Sequence, residues 1–187
     1  MFRLETDRLV IREWRDEDIA PFASLNADKE VMRYFVEPLT YEQSALMVEK
    51  VRYVYDEYGY TFYAVEEKCS GHFVGLTGIA PVFFEVDFVP VIEIGWRMAR
   101  PFWGKGYAPE AARAVLNYAR DELGISEIVS FTAELNKNSM RVMEKIGMVR
   151  DYDGDFLHPK VPEGHELQEH VLYRFSLWVK FSFLGFS

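Results

Sequence analysis

The amino-acid sequence predicts a mixed α/β fold of the α+β kind, and three observations carry that expectation. Strand-like runs between residues 60 and 98 follow one another at hairpin spacing, a helix with start and stop signals covers residues 108–123, and strand and helix signals alternate behind it.

The elements follow in order. Residues 8–14 mix β-branched and aromatic side chains and read as an opening strand. Asp16 or Asp18 is placed to cap a helix running through Asn26. Thr40 and Gln43 have the spacing of a capping box, and Leu46, Val48, Val51, Val54 and Tyr55 mark the apolar face of a helix ending before Gly59. Residues 60–67, a turn at Ser70-Gly71, and residues 73–84 and 91–98 suggest an antiparallel meander, because links this short leave no room for a crossover helix. Pro109 and Gly124 bracket the helix over 108–123. A strand over 127–134, a short helix over 139–146 stopped by Gly147, and a strand over 148–152 follow. Gly154, Pro159, Pro162 and Gly164 make 153–166 a loop before a last strand at about 170–179. No repeat or linker divides the chain, so residues 1–187 are expected to form one domain.

Composition excludes several classes. With 21 basic against 30 acidic residues the net charge is −9, which gives no electrostatic footprint for nucleic acid. An acidic surface suits a cationic amine, and it equally serves solubility alone. The single cysteine, Cys69, has no disulfide partner in the chain. The beginning has neither the apolar run of a signal peptide nor the acid-poor character of a transit peptide, so a cytoplasmic location is expected. No run reaches the roughly 20 apolar residues of a membrane span. The aromatic tail around Phe181, Phe183 and Phe186 suits the protein body or a second subunit, which makes a homodimer an option.

The chemistry concentrates where the strand over 91–98 gives way to the helix over 108–123. Gly104, Gly106 and Ala108 let a ligand approach the backbone closely, and the unpaired amides of the helix start present partial positive charge. A phosphate is the expected guest. Lys105 either adds a charge or is a solvated loop residue. A P-loop would need Gly-Lys-Ser or Gly-Lys-Thr, whereas Gly106 precedes Tyr107; a dinucleotide fingerprint would need a glycine where Pro109 stands.

Trp103-Gly104-Lys105-Gly106-Tyr107-Ala108 resembles the acetyl-CoA pyrophosphate loop of the GNAT acetyltransferase superfamily, in the tryptophan-bearing form of its RimJ/RimL-like branch. Glu5-Thr6-Asp7-Arg8-Leu9-Val10-Ile11-Arg12 resembles the opening of that branch, and the segment from Asn136 through Ser139, Lys145 and Gly147 to Met148 resembles its second cofactor motif. The stretch from His158 through His170 to Arg174 resembles its closing strand. The resemblance implies a mostly antiparallel, twisted sheet of about seven strands and about four helices, splayed at an acetyl-CoA site. It implies direct transfer of an acetyl group from acetyl-CoA to a primary amine, on a protein N-terminus or a small molecule. The alternative is a noncatalytic acyl-CoA-binding module.

On this resemblance the pantetheine arm pairs with backbone near Arg97 and Met98, where a β-bulge would free an amide for the thioester oxygen. Trp103, Gly104, Lys105, Gly106, Tyr107 and Ala108 hold the pyrophosphate, and Asn136 and Ser139 complete the wall. Asn138 or Ser139 could instead only cap the following helix. Glu93, on the strand beside the thioester, is the candidate base acting through water, or a carboxylate that orients loops; Glu85 and Asp87 are weaker candidates. Many members place a tyrosine donor where this chain has Met143, which leaves Ser139 as the nearest replacement or a thiolate that departs unaided. His158, His165 and His170 match no compact zinc spacing, so no metal is expected, and they are read as edging the acceptor site or as only solvating a loop. Residues 34–39 and 151–167 are its expected walls.

Overall fold

Thr40 Oγ1 accepts the Gln43 amide at 3.2 Å while the Gln43 side chain accepts the Thr40 amide at 2.7 Å, so the capping box closes as its spacing implies. The helix it starts, α2 (Tyr41–Tyr58), ends at Gly59, whose φ of 77° is the left-handed conformation that glycine adopts without strain. Val48, Val51 and Val54 are buried along this helix, whereas Leu46, expected on the same face, is 55% exposed.

The computed structural model describes residues 2–88 and 92–176. Around α2 stand β1 (Arg3–Glu5), β2 (Leu9–Arg12), α1 (Ile19–Ala27), β3 (Phe62–Glu67), β4 (Phe73–Pro81) and β5 (Ile92–Met98). They are followed by α3 (Tyr107–Asp121), β6 (Glu127–Ala133), α4 (Lys137–Lys145), β7 (Val149–Leu157) and β8 (Glu169–Ser176). The strands form one eight-stranded sheet in the order β1-β2-β3-β4-β5-β6-β8-β7. Every neighbouring pair is antiparallel except β5 and β6.

Helices cover both faces. Tyr63, Val65, Val74, Ile94 and Met98 pack with Tyr107, Ala111, Val115 and Met143 of α3 and α4. Ala64 and Leu76 pack instead with Phe22, Val48 and Val51 of α1 and α2. Double coverage explains why β4 is buried at seven consecutive positions rather than at alternate ones. Gly75 is required there, because a Cβ would lie 2.1 Å from the Arg97 carbonyl oxygen.

Two strand assignments change. The opening strand is preceded by β1, whose three residues pair with Val10, Ile11 and Arg12. Residues 153–157, expected as loop, extend β7: Phe156 and Leu157 pair with His170 and Glu169 after an irregularity that accommodates Gly154. The aromatic tail and the end of the last expected strand lie outside the described residues. Among the described residues no helix is long and apolar enough to cross a membrane.

Candidate active site

The site begins where the sheet parts. β5 and β6 share one paired position, Glu93 opposite Val129, before they diverge. The Ser130 hydroxyl of β6 donates to the Ile94 carbonyl at 2.9 Å, so Ile94 faces that edge of β5. Peptide groups alternate between the edges of a strand, and those of Trp96 and Met98 therefore border the opening, while Arg97 pairs toward Leu76 of β4. The ladder from β4 to β5 has no register shift, so unpaired backbone arises from divergence and not from the expected bulge.

A cavity of about 830 Å³ fills the gap, lined by β5, the loop leading into α3, the start of α4, residues 30–36 and part of the β7–β8 connection. Its loop end is built on two left-handed glycines, Gly104 at φ 74° and Gly106 at φ 78°. A Cβ on Gly104 would meet nothing within 4 Å, so the loop is strained by substitution rather than crowded by it. Arg8 Nη1 donates to the Lys105 carbonyl at 2.8 Å, and the Arg8 Nε donates to Glu110, in the first turn of α3, at 2.7 Å. Thr6 Oγ1 donates to the same carboxylate at 2.6 Å. Thr6 and Arg8 of the opening motif thus brace the loop and the helix that it starts.

The remaining loop residues divide by direction. Trp103 lines the cavity and its indole N–H donates to the Met98 carbonyl at 2.7 Å, which fastens the loop to the end of β5. Tyr107 lines the cavity, but its hydroxyl donates to Glu67 at 2.5 Å. The Ser70 hydroxyl and then this phenol hold the Glu67 carboxyl down at about 2. Lys105 Nζ lies 3.7 Å from Glu67 and 4.9 Å from the centre of the Phe102 ring, and Lys105 is not part of the cavity wall. Gly104, Gly106 and Ala108 are part of it.

At the second helix start Asn136 is the cap: its Oδ1 accepts the Ser139 amide at 3.1 Å, and its amide nitrogen donates to Thr132 Oγ1 at 2.9 Å. The cap is therefore neither Asn138 nor Ser139. Asn136 and Ser139 both line the cavity, as do Lys145, named in the sequence only as part of the second motif, and Arg141, to which the sequence reading gave no role. Their i, i+4 spacing on α4 is the signal that puts both cations on one helix face. Met143 is fully buried in the core and reaches no part of the cavity.

Glu93 lines the cavity while protein surrounds most of it, and burial raises its carboxyl to about 7, with Lys160 pulling the other way. Glu85 and Asp87 do not line the cavity. His158 and His170 do, with ring centres 4.6 Å apart beside Phe84, Phe131 and Phe156; His165 stays outside. Burial lowers both imidazoles, His158 to about 4. Among the described residues no cluster of three His, Cys, Asp or Glu could hold a metal ion. Of the expected acceptor walls, Tyr34, Phe35 and Val36 and then His158, Lys160, Val161 and Leu167 line the cavity.

The site is thus a sheet opened between two parallel strands, with a glycine loop at the start of the helix that links them. The acetyltransferase (GNAT) domain matches residues 8–149, and the chain belongs to that family. It is 37% identical over 147 residues to the uncharacterized protein YkkB of Bacillus subtilis, covering 78% of this chain and 84% of that one. It is 31% identical over 171 residues to the uncharacterized N-acetyltransferase YnaD of the same organism, covering 91% and 94%. The crystal structure of a GNAT-family acetyltransferase from Bacillus anthracis superposes with a TM-score of 0.76 at 28% identity, covering 94% of this chain and 98% of that one.

Proposed function

We propose that this chain is a cytoplasmic, acetyl-CoA-dependent N-acetyltransferase of the RimJ/RimL-like kind that acetylates a primary amine directly. One observation carries the reading: Gly104, Gly106, Tyr107 and Ala108, at the start of α3, line a cavity that continues between the parted strands to Glu93. Backbone donors at a helix start, two glycines in the left-handed conformation and the nearby cations Arg141 and Lys145 fit a diphosphate.

Bound acetyl-CoA supplies an acetyl group activated as a thioester. The amides of Trp96 and Met98 border the opening, where an N–H can polarise the acyl carbonyl. Glu93 accepts the proton that the attacking amine loses, directly or through water. A carbon–nitrogen bond forms as the carbon–sulfur bond breaks, and the departing sulfur takes up one proton. Ser139 supports that protonation, since Met143 has no hydroxyl and no access.

Titration calorimetry with acetyl-CoA, followed by free-thiol release over a panel of amines, tests the reading. Gly106→Glu puts a side chain into left-handed backbone and a negative charge into the cradle, and should abolish binding. The buried Met143 favours one second reading, a noncatalytic CoA-binding module. That module would bind CoA and release no thiol with any amine.

A further inference from the structure

Glu93, Gly95 and Arg97 project to one face of β5, because side chains alternate along a strand. It is the face of α1 and α2, away from the pyrophosphate loop, since Ile94 and Met98 pack toward α3. The portion of the cavity over these residues is therefore the acceptor portion. Gly95 leaves a gap between the two charged side chains, narrowed only by the Phe62 ring.

Arg97 is held in place without being neutralised. Its Nη1 donates to Asn26 Oδ1 at 2.5 Å, and its guanidinium lies 4.2 Å from the centre of the Phe35 ring. Asn26 is itself buried and donates to Ser44 Oγ at 3.0 Å, so the neutral partner is rigidly oriented. Arg97 Nε is buried with no hydrogen-bond partner, and among the described residues no carboxylate forms an ion pair with it. Burial drags its pKa to about 10. A guanidinium held by one neutral partner and largely withdrawn from water is costly unless an anion completes it, and Arg97 lines the cavity, where a carboxylate would meet its terminal N–H groups rather than the enclosed Nε.

The rest of the acceptor portion points the same way. Glu30 and Arg33 face each other at 3.7 Å and offset one another. Lys160 contributes a further cation to the wall, 5.3 Å from the centre of the Phe84 ring. In a chain of net charge −9, this wall presents more positive than negative charge, which opposes the polyamine-like acceptor that the acidic composition alone would suit.

We infer that the acceptor is a primary amine that also carries a carboxylate, and that Arg97 is the specificity residue that reads the carboxylate while the amine lies toward Glu93. The inference rests on the acetyltransferase reading. Four strand steps separate Glu93 from Arg97, about 13 Å between Cα atoms, so the distance between the acceptor's amine and its carboxylate is selected by what the two side chains leave open. The carboxylate is a handle and is unchanged by the transfer. A diamine would place its second ammonium against Arg97 and Lys160, so it is rejected by repulsion.

The experiment measures thiol release from acetyl-CoA with matched acceptors: free amino acids of different chain length, their amides, their decarboxylated amines, and diamines. The expected result is kcat/KM at least about tenfold higher for a free acid than for its amide, because a charge-assisted hydrogen bond is lost in the amide. Arg97→Met should erase most of that preference, and Arg97→Lys should restore part of it, since the charge returns without the fork. CoA affinity of each variant, measured alongside, reports an intact fold. Equal or better rates with amides or diamines overturn the inference, as does an equal loss on acids and amides in Arg97→Met. Absence of CoA binding by the native protein overturns the acetyltransferase reading and the inference with it. If CoA binds but no amine is acetylated, titration of the CoA-loaded protein with the same amino acids decides: Arg97-dependent binding sustains carboxylate recognition, and its absence overturns it.

Discussion

Arg8 donates to the main-chain carbonyl of Lys105 at 2.8 Å across 97 positions of sequence, so the glycine loop before α3 is braced by the residue that leads into β2. The same guanidinium holds Glu110 in the first turn of α3. Loop and helix start therefore keep their relative orientation before a ligand arrives, and preorganisation of this sort lowers the cost of binding.

Arg8→Gln removes both contacts. Arg8 is about half exposed, so the loss is expected near 1 kcal/mol, equivalent to a roughly five- to tenfold rise in the Kd for CoA. Calorimetry against the native protein measures it, and the melting temperature should change little. An unaltered Kd would show that the loop orders itself.

Glu93 makes opposite demands on activity and stability. Burial lifts its carboxyl from 4.5 to about 7, so acetyl transfer should rise with pH through about 7 as the base is unmasked. Glu93→Gln should remove that limb of the profile and lower kcat by about 10²-fold or more. For stability the sign is reversed: the folded state holds the proton more tightly than the unfolded chain does. The native fold is thus most favoured below pH 4.5, and it loses up to about 3 kcal/mol as pH rises to about 7. Chemical denaturation should find Glu93→Gln more stable than the native chain at pH 8 and close to it at pH 4.

How much of this was legible depends on the range of the contact that decides it. Thr40, Gln43 and Gly59 define α2 by themselves, and Gly104 and Gly106 announce their loop because only glycine rests comfortably at φ near 75°. β1 has three residues and a largely exposed pattern, so its strand character comes from pairing with β2 and from no local preference. Residues 153–157 read as loop because Gly154, Pro159, Pro162 and Gly164 punctuate 153–166, yet they lie at the sheet edge, where β8 supplies the pairing. The resemblance places Arg97 beside an expected thioester but says nothing of a cation facing Asn26 and Phe35, since those contacts join residues more than 60 positions apart.

The neighbouring imidazoles of His158 and His170 predict acid sensitivity. Burial lowers His158 from 6.5 to about 4 and lowers His170 as well, so the folded state keeps both neutral. The unfolded chain takes up protons first, and stability is lost as pH falls from about 6.5 toward 4. Partial exposure discounts the effect to about 1–3 kcal/mol for His158. Thermal unfolding at pH 7.5 and pH 5 should show a drop in the native protein that is smaller in His158→Phe, whose ring suits the surrounding Phe84, Phe131 and Phe156. Equal drops in both proteins would place the acid sensitivity elsewhere.

Arg12 belongs to the same opening motif as Arg8 and should behave in the opposite way. Its guanidinium is 6% exposed and forks onto Asp18 at 2.7 and 2.9 Å, while its Nε donates to Glu66 at 2.9 Å. The cluster ties β2 to β3 and to the turn entering α1, and none of its members lines the cavity. Arg12→Met would leave the buried Asp18 carboxylate without its ion partner, while Glu66 keeps Arg15 at 3.2 Å, at a cost of about 3–5 kcal/mol. For a chain of this length that is a fall of roughly 6–20 °C in melting temperature. Well below the new transition, CoA affinity should stay within about twofold of native, because the loss is spread over the fold and not over the loop. A large change in Kd for Arg12→Met with an unshifted melting temperature would exchange the roles assigned to these two arginines.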